Sequence, residues 1–180
     1  MAPASATART PHGCAGAATS AATSWTGGSA YKWEVGKVLD GTGFTGAQNQ
    51  DALRGINPGF DAWDITGKLI LDTTNGQKIK IDITSLGAIT NWDAGHPGLT
   101  REFTIITATG GIDGVDAAMF HLDDTNFNQS TNPYSTLDSQ WWYVHQAGNN
   151  IILTYVPEPG TLGLLALGAL ALRGRRRNRK

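Results

Sequence analysis

Lys78-Ile79-Lys80-Ile81-Asp82-Ile83 alternates charged and apolar side chains without a break. Side chains on a strand point to opposite faces in turn, so this stretch reads as a strand with one face in a core and the other in water. Working outward, short apolar runs of the same kind recur at Lys68-Leu69-Ile70-Leu71-Asp72, Phe103-Thr104-Ile105-Ile106-Thr107 and Asn150-Ile151-Ile152-Leu153-Thr154-Tyr155. Turn formers separate the runs, among them Thr74-Asn75-Gly76, Thr109-Gly110-Gly111 and Ala147-Gly148-Asn149-Asn150. The last of these predicts a hairpin between residues 141–145 and 151–155. Helical periodicity is nearly absent, and 23 glycines with 16% charged residues fit an all-β body better than an ordinary enzyme.

Charge is segregated along the chain. Six of the fourteen Lys and Arg residues stand in the last eight positions, so residues 1–157 hold eight bases against fourteen acids, about −6. An acidic body is a poor match for a nucleic-acid backbone, and no nucleic-acid partner is expected. Cys14 is the single cysteine, which excludes an intrachain disulfide and any site built on a cysteine pair.

The two ends differ in kind. Residues 1–24 are rich in Ala, Ser and Thr, lack the apolar run of a secretory signal, and read as a disordered leader. Residues 161–172 (TLGLLALGALAL) carry no charge, with Leu162, Leu164, Leu165, Leu167, Leu170 and Leu172 supplying the bulk. Arg173, Arg175, Arg176 and Arg177 follow at once as a stop-transfer cluster. This pattern predicts a single membrane helix with its basic end, residues 173–180, on the cytoplasmic side. Twelve helical residues span roughly 18 Å at ~1.5 Å each, short of a ~30 Å hydrocarbon core, so flanking residues or a locally thinned bilayer must make up the difference.

Pro157-Glu158-Pro159 stands just before this segment. The order Pro-Glu-Pro, apolar stretch and arginine cluster over residues 157–180 resembles the PEP-CTERM sorting signal of Gram-negative bacteria. The resemblance implies recognition by an exosortase, a membrane-embedded cysteine peptidase, with removal of the tail as the protein reaches the surface. Pro157, Glu158 and Pro159 are then substrate residues: prolines block helix and sheet pairing and leave an extended strip that a peptidase can engage. Such a tail requires export, so a signal peptide and more passenger are expected upstream of Met1.

A second resemblance rests on Tyr31-Lys32-Trp33-Glu34-Val35, Trp63-Asp64-Ile65-Thr66-Gly67-Lys68-Leu69, Lys78-Ile79-Lys80-Ile81 and Ser85-Leu86. Phe103-Thr104-Ile105, Ala108-Thr109-Gly110-Gly111-Ile112 and Asn149-Asn150-Ile151-Ile152-Leu153 continue it. Their order is similar to the closing segment of autotransporter-associated β-strand repeat proteins. It implies a partial right-handed parallel β-helix, or the cap of a β-solenoid, over the passenger at residues 25–156. Residues 41–60 depart from that pattern and read as a flexible insertion. Trp141-Trp142-Tyr143 is a further departure, in which alternate side chains face opposite sides.

Other motifs are weaker. Gly41-Thr42-Gly43-Phe44-Thr45-Gly46 fits the G-x-G-x-x-G of dinucleotide sites, with Asp61 and Asp64 near the required offset, but Asn57-Pro58-Gly59 interrupts where a helix is needed. His12, His96, His121 and His145 are too dispersed for a local metal site. Asp123-Asp124-Thr125-Asn126-Phe127-Asn128 resembles the opening of a calcium loop, yet Gln129 replaces the required glycine. Asn128-Gln129-Ser130 matches a glycosylation sequon that a bacterial context makes incidental. Asp113, Asp116, Asp123 and Asp124 are the carboxylates from which a glycosidase pair would have to come.

The expectation is therefore an exported, non-enzymatic structural protein without cofactor or metal, membrane-anchored as a precursor and then at the cell surface or in the extracellular matrix. Its partners are an exosortase, transiently the inner membrane, and envelope polysaccharide. Two rivals stand beside it: a carbohydrate-binding or adhesive module using Trp25, Trp92 or Trp142 as exposed aromatics, and a glycan-acting hydrolase.

Overall fold

The computed structural model describes residues 22–44, 46–92, 99–127 and 142–156. Its strands are β1 (Ala22–Thr26), β2 (Ala30–Lys37), β3 (Ala47–Asn49), β4 (Trp63–Ile65), β5 (Lys68–Asp72), β6 (Ile79–Thr90), β7 (Thr100–Ala108), β8 (Ile112–Asp113), β9 (Phe120–Asn126), β10 (Trp142–Ala147) and β11 (Asn150–Tyr155). Two single 3-10 turns, Asp51–Leu53 and Ala117–Met119, are the helical elements among the described residues. The body is all-β, as the alternation predicts.

The strands form three open sheets. One runs β1-β5-β8 and another β2-β6-β9, parallel throughout. In the third, β3 and β4 lie parallel to β7 on one side, while β11 pairs antiparallel on the other with β10 beyond it. The chain thus visits the sheets in one order three times, through β1, β2 and β3–β4, then β5, β6 and β7, then β8, β9 and the antiparallel β10–β11 hairpin. None of these sheets closes into a barrel.

Alternation sets what is buried. Ile79, Ile81 and Ile83 of β6 are fully enclosed, with Lys80 and Asp82 between them on the outer face. Each such isoleucine contributes about 1.5–3 kcal/mol relative to remaining in water. The register aligns Tyr31, Ile81 and Leu122 across the three strands of that sheet, and next to them Lys32, Asp82 and Asp123 on the outside. A bulge opposite Ile151/Ile152 gives β7 an extra residue, so consecutive Ile105 and Ile106 are both buried. Aromatic rings fill the interior. Trp33 meets Phe103 at 5.0 Å, Trp92 meets Tyr155 at 4.9 Å, and Trp25 lies 5.9 Å from both Trp63 and Phe120.

The predicted hairpin forms as β10 and β11, and Gly148 takes a φ of 58° at the first central position of its two-residue loop, where a type II′ turn favours glycine. Two expectations need correction. The leader does not extend to residue 24, because Ala22, Thr23 and Ser24 pair with Lys68, Leu69 and Ile70 and Trp25 anchors the strand in the core. Nor is 41–60 a flexible insertion: Ala47, Gln48 and Asn49 pair with Thr100, Arg101 and Glu102, and Phe60 is buried. Gln50 accepts from Leu39 N at 2.7 Å and donates to Gln48 Oε1 at 2.9 Å, while Gln48 donates to Asp40 O at 2.9 Å. These amides satisfy one another inside the protein, which makes their burial affordable in free energy.

The circuits approach closely at Gly110, whose N–H donates to Gly67 O at 3.0 Å. A Cβ there would lie 2.7 Å from the Gly67 carbonyl carbon and from Lys68 N, both backbone atoms that cannot rotate aside. Gly110→Ala is expected to cost about 1–3 kcal/mol by overpacking. An unshifted urea midpoint for this variant would show that the two turns separate freely.

Candidate functional site

The chain leaves the body at β11, an interior strand held between β10 and β7. Ile151 and Leu153 are fully buried, and Tyr155 packs against Trp92 at 4.9 Å and Trp142 at 5.1 Å. Tyr155 is also in register with Arg101 of β7 and Trp142 of β10. Val156 is the last described residue. Pro157 follows, and having no N–H it cannot extend the ladder. The sorting residues Pro157, Glu158 and Pro159, the leucines from Leu162 to Leu172 and the arginines from Arg173 to Arg177 lie outside the described residues, as do Cys14, His12, His96, Asn128 and Trp141.

The aromatic binding surface expected at Trp25, Trp92 and Trp142 is not there. These three side chains are only 4–5% exposed. Trp92 carries the Arg101 guanidinium over its ring, 5.2 Å from the centroid. Trp142 is enclosed by Phe127, Trp33 and Tyr155. Parity does hold along β10, and it exposes Tyr143, which stacks on His145 with centroids 5.5 Å apart. Phe44 is the other exposed aromatic side chain among the described residues, 53% open to solvent. In the sequence Phe44 stands out only as part of G-x-G-x-x-G and Tyr143 only as part of Trp141-Trp142-Tyr143; position at a loop tip and on an edge strand is what identifies them as exposed.

The acidic residues are engaged in structure. Asp113 is paired with Lys68, and Asp123 Oδ2 lies 2.6 Å from Lys80 Nζ. Asp116 accepts from Ala118 N at 2.8 Å at the start of the second 3-10 turn. The calcium-loop reading is overturned, because Asp123 to Asn126 continue strand β9 instead of curling around an ion, and Asn126 donates to Asp82 Oδ1 at 3.2 Å. Among the described residues no three His, Cys, Asp or Glu side chains group as metal ligands. The third glycine of G-x-G-x-x-G is followed by β3, where a dinucleotide site needs a helix. Burial drives the Tyr31 phenol far above its ordinary range, which leaves it protonated.

The Lys80 hydrogen bond, seconded by the Thr125 hydroxyl and N–H, holds Asp123 well below the usual carboxylate range, and the same bond raises Lys80. A depressed carboxylate stabilises the fold above its unfolded pKa of about 3.9, and that contribution is lost as pH falls through the folded value. With Lys80 more than a third exposed, solvent screening limits the pair to roughly 0.2–1 kcal/mol. Lys80→Met is therefore expected to lose that amount near neutral pH and to approach wild type at strongly acid pH. Urea titrations at the two extremes test this, and a gap that widens in acid would contradict it.

Residues 156–177 match the family model of the PEP-CTERM protein-sorting motif. The match begins at the residue that follows β11. The motif indicates exosortase-dependent sorting of an exported protein. No curated protein and no solved structure matches the chain. Among the described residues no helix is long and apolar enough to cross a membrane.

Proposed function

We propose that the chain is a structural protein of the cell surface or extracellular matrix, displayed there after an exosortase has engaged Pro157-Glu158-Pro159 and removed the tail. The observation that carries this reading is the sorting-motif match at 156–177, set directly after the last described strand. Residues 161–172 hold the precursor in the inner membrane, and Arg173, Arg175, Arg176 and Arg177 keep its end in the cytoplasm.

The body is read as the end of a β-solenoid of the autotransporter-associated kind and as non-catalytic. Parallel stacking of β1, β5 and β8, and of β2, β6 and β9, supports the solenoid reading, because each strand there covers its neighbour's edge as coils do. The antiparallel β10–β11 hairpin suits a terminus, since it departs from coil geometry and lets the chain leave. Engagement of Asp113, Asp116 and Asp123 in ion pairs and a turn supports a structural role for these carboxylates over a catalytic one.

The test is made in cells that carry an exosortase. Wild-type protein is expected outside the inner membrane with a C-terminus trimmed near the motif, as read by mass spectrometry. Alanine at Pro157, Glu158 and Pro159 together is expected to leave full-length chain in the membrane fraction. Untrimmed wild-type protein in the cytosol, indifferent to deletion of 157–180, would end this reading.

A further inference from the structure

Six steps of chain separate Tyr155 from Thr161, the first residue of the apolar segment. They reach at most roughly 22 Å at ~3.6 Å per residue. Before the tail is cut, the edge of the body where β11 ends is therefore confined close to the lipid. β3 and β7 enter the third sheet at that same edge, because both run antiparallel to β11 and Arg101 is in register with Tyr155 on one side and Gln48 on the other. Two strand spacings place Gln48 about 10 Å from Tyr155. Phe44 stands four residues before Gln48. On the other side of the exit, Tyr143 of β10 is opposite Thr154. The two exposed aromatics among the described residues thus flank the end of β11.

The Phe44 loop is built rather than slack. Thr42 donates to Asp40 Oδ1 through both its N–H, at 3.0 Å, and its hydroxyl, at 2.7 Å. Phe44 N donates to Gly41 O at 3.0 Å, and Gly43 takes a φ of 82° that other residues rarely adopt. These bonds fix the backbone and leave the phenyl ring outside. They also draw the Asp40 carboxylate into the turn.

We propose that Phe44 and Tyr143 form the body's contact with the lipid surface while the sorting tail is still attached. An apolar ring and an amphipathic one suit the interface between headgroups and chains, where aromatic side chains concentrate. Two side chains are enough because the tail makes their encounter with the bilayer intramolecular, at high effective concentration. Once the tail is removed that advantage disappears, and the body is free to leave the surface. The contact rests on the reading of 161–172 as membrane-inserted.

The test uses the full chain with Cys14→Ser, reconstituted into vesicles of phosphatidylcholine and phosphatidylglycerol. An environment-sensitive fluorophore is placed at Ala47→Cys, an exposed position at the start of β3, or at Lys78→Cys, exposed at the far end of β6. The label at 47 is expected to shift to the blue and lose quenching by aqueous iodide, while the label at 78 does neither. Phe44→Ser with Tyr143→Ser should restore quenching at 47 without releasing the protein from vesicles. Chain that floats with the vesicles yet shows equal quenching at both positions overturns the contact and leaves the tail reading intact. Chain that fails to float overturns the tail reading, and the contact with it.

Discussion

Trp33→Ala is expected to destabilise the body by about 3–5 kcal/mol, the range found when a buried large aromatic is cut to alanine. Trp33 is fully buried on β2, and its ring meets Phe103 of β7 at 5.0 Å, Trp142 of β10 at 5.9 Å and Phe60 at 6.0 Å. It therefore joins two of the three sheets and the segment between β3 and β4. Its Nε1 also donates to Asp61 O at 3.0 Å, a bond worth about 1 kcal/mol when the partner can be rehydrated. Against a typical total of 5–15 kcal/mol, this loss brings the fold near its limit. At about 2–4 °C per kcal/mol for a chain of this size, the melting temperature should fall by roughly 6–20 °C. Near-UV circular dichroism of the full chain in detergent reads this directly, because the coupled rings are the signal. Tyr143→Ala, which removes an exposed ring, serves as the comparison. Equal melting of the two variants would mean that the aromatic cluster does not hold the sheets together.

The same cluster holds the described strand that lies next to the sorting motif. Tyr155 closes it from β11 through Trp92 and Trp142, so the last strand is fixed by packing as well as by its two ladders. Pro157 lacks the N–H that would continue the ladder. On the proposed reading, trimming C-terminal to Val156 would leave every described strand in place.

What was legible in the sequence was local. β5 and β11 fall on 68–72 and 150–155, the runs picked out by alternation, and the hairpin turn follows from Gly148. The tail was legible because its three features are consecutive along the chain. β3 was not: Ala47-Gln48-Asn49 is polar, its partner strand is more than fifty residues away, and its burial depends on Gln48 and Gln50 satisfying each other. β1 was hidden in a leader of the same Ala, Thr and Ser composition. β9 was not legible either: Asp123 resembles an ion ligand along the sequence until the register brings Lys80 beside it. The parity of Trp142 and Tyr143 was readable, but which of the two faces inward is decided by pairing with β11.

The largest effect is expected in the tail. If residues 161–172 enter the membrane as proposed, they contain too few positions to span a bilayer comfortably, so their partition into lipid has little margin and rests on the leucines. At the centre of such a segment a leucine contributes roughly −0.3 to −0.6 kcal/mol and an arginine costs about 2.5–3.5. Leu164→Arg with Leu167→Arg therefore shifts partition by about 6–8 kcal/mol, or some five decades at ~1.4 kcal/mol each. Snorkelling relieves part of this, but Leu164 and Leu167 sit mid-segment, where an arginine head is farthest from water on either side. The double variant is expected to leave the membrane fraction almost completely in carbonate extraction and flotation, while Leu164→Ile with Leu167→Ile stays. Because Pro157-Glu158-Pro159 is untouched, any exosortase trimming that is lost in the arginine variant must be lost through failed delivery to the membrane. Retention of the arginine variant at wild-type levels would mean that something other than this stretch holds the precursor there, and the sorting mechanism would have to be rebuilt on the body.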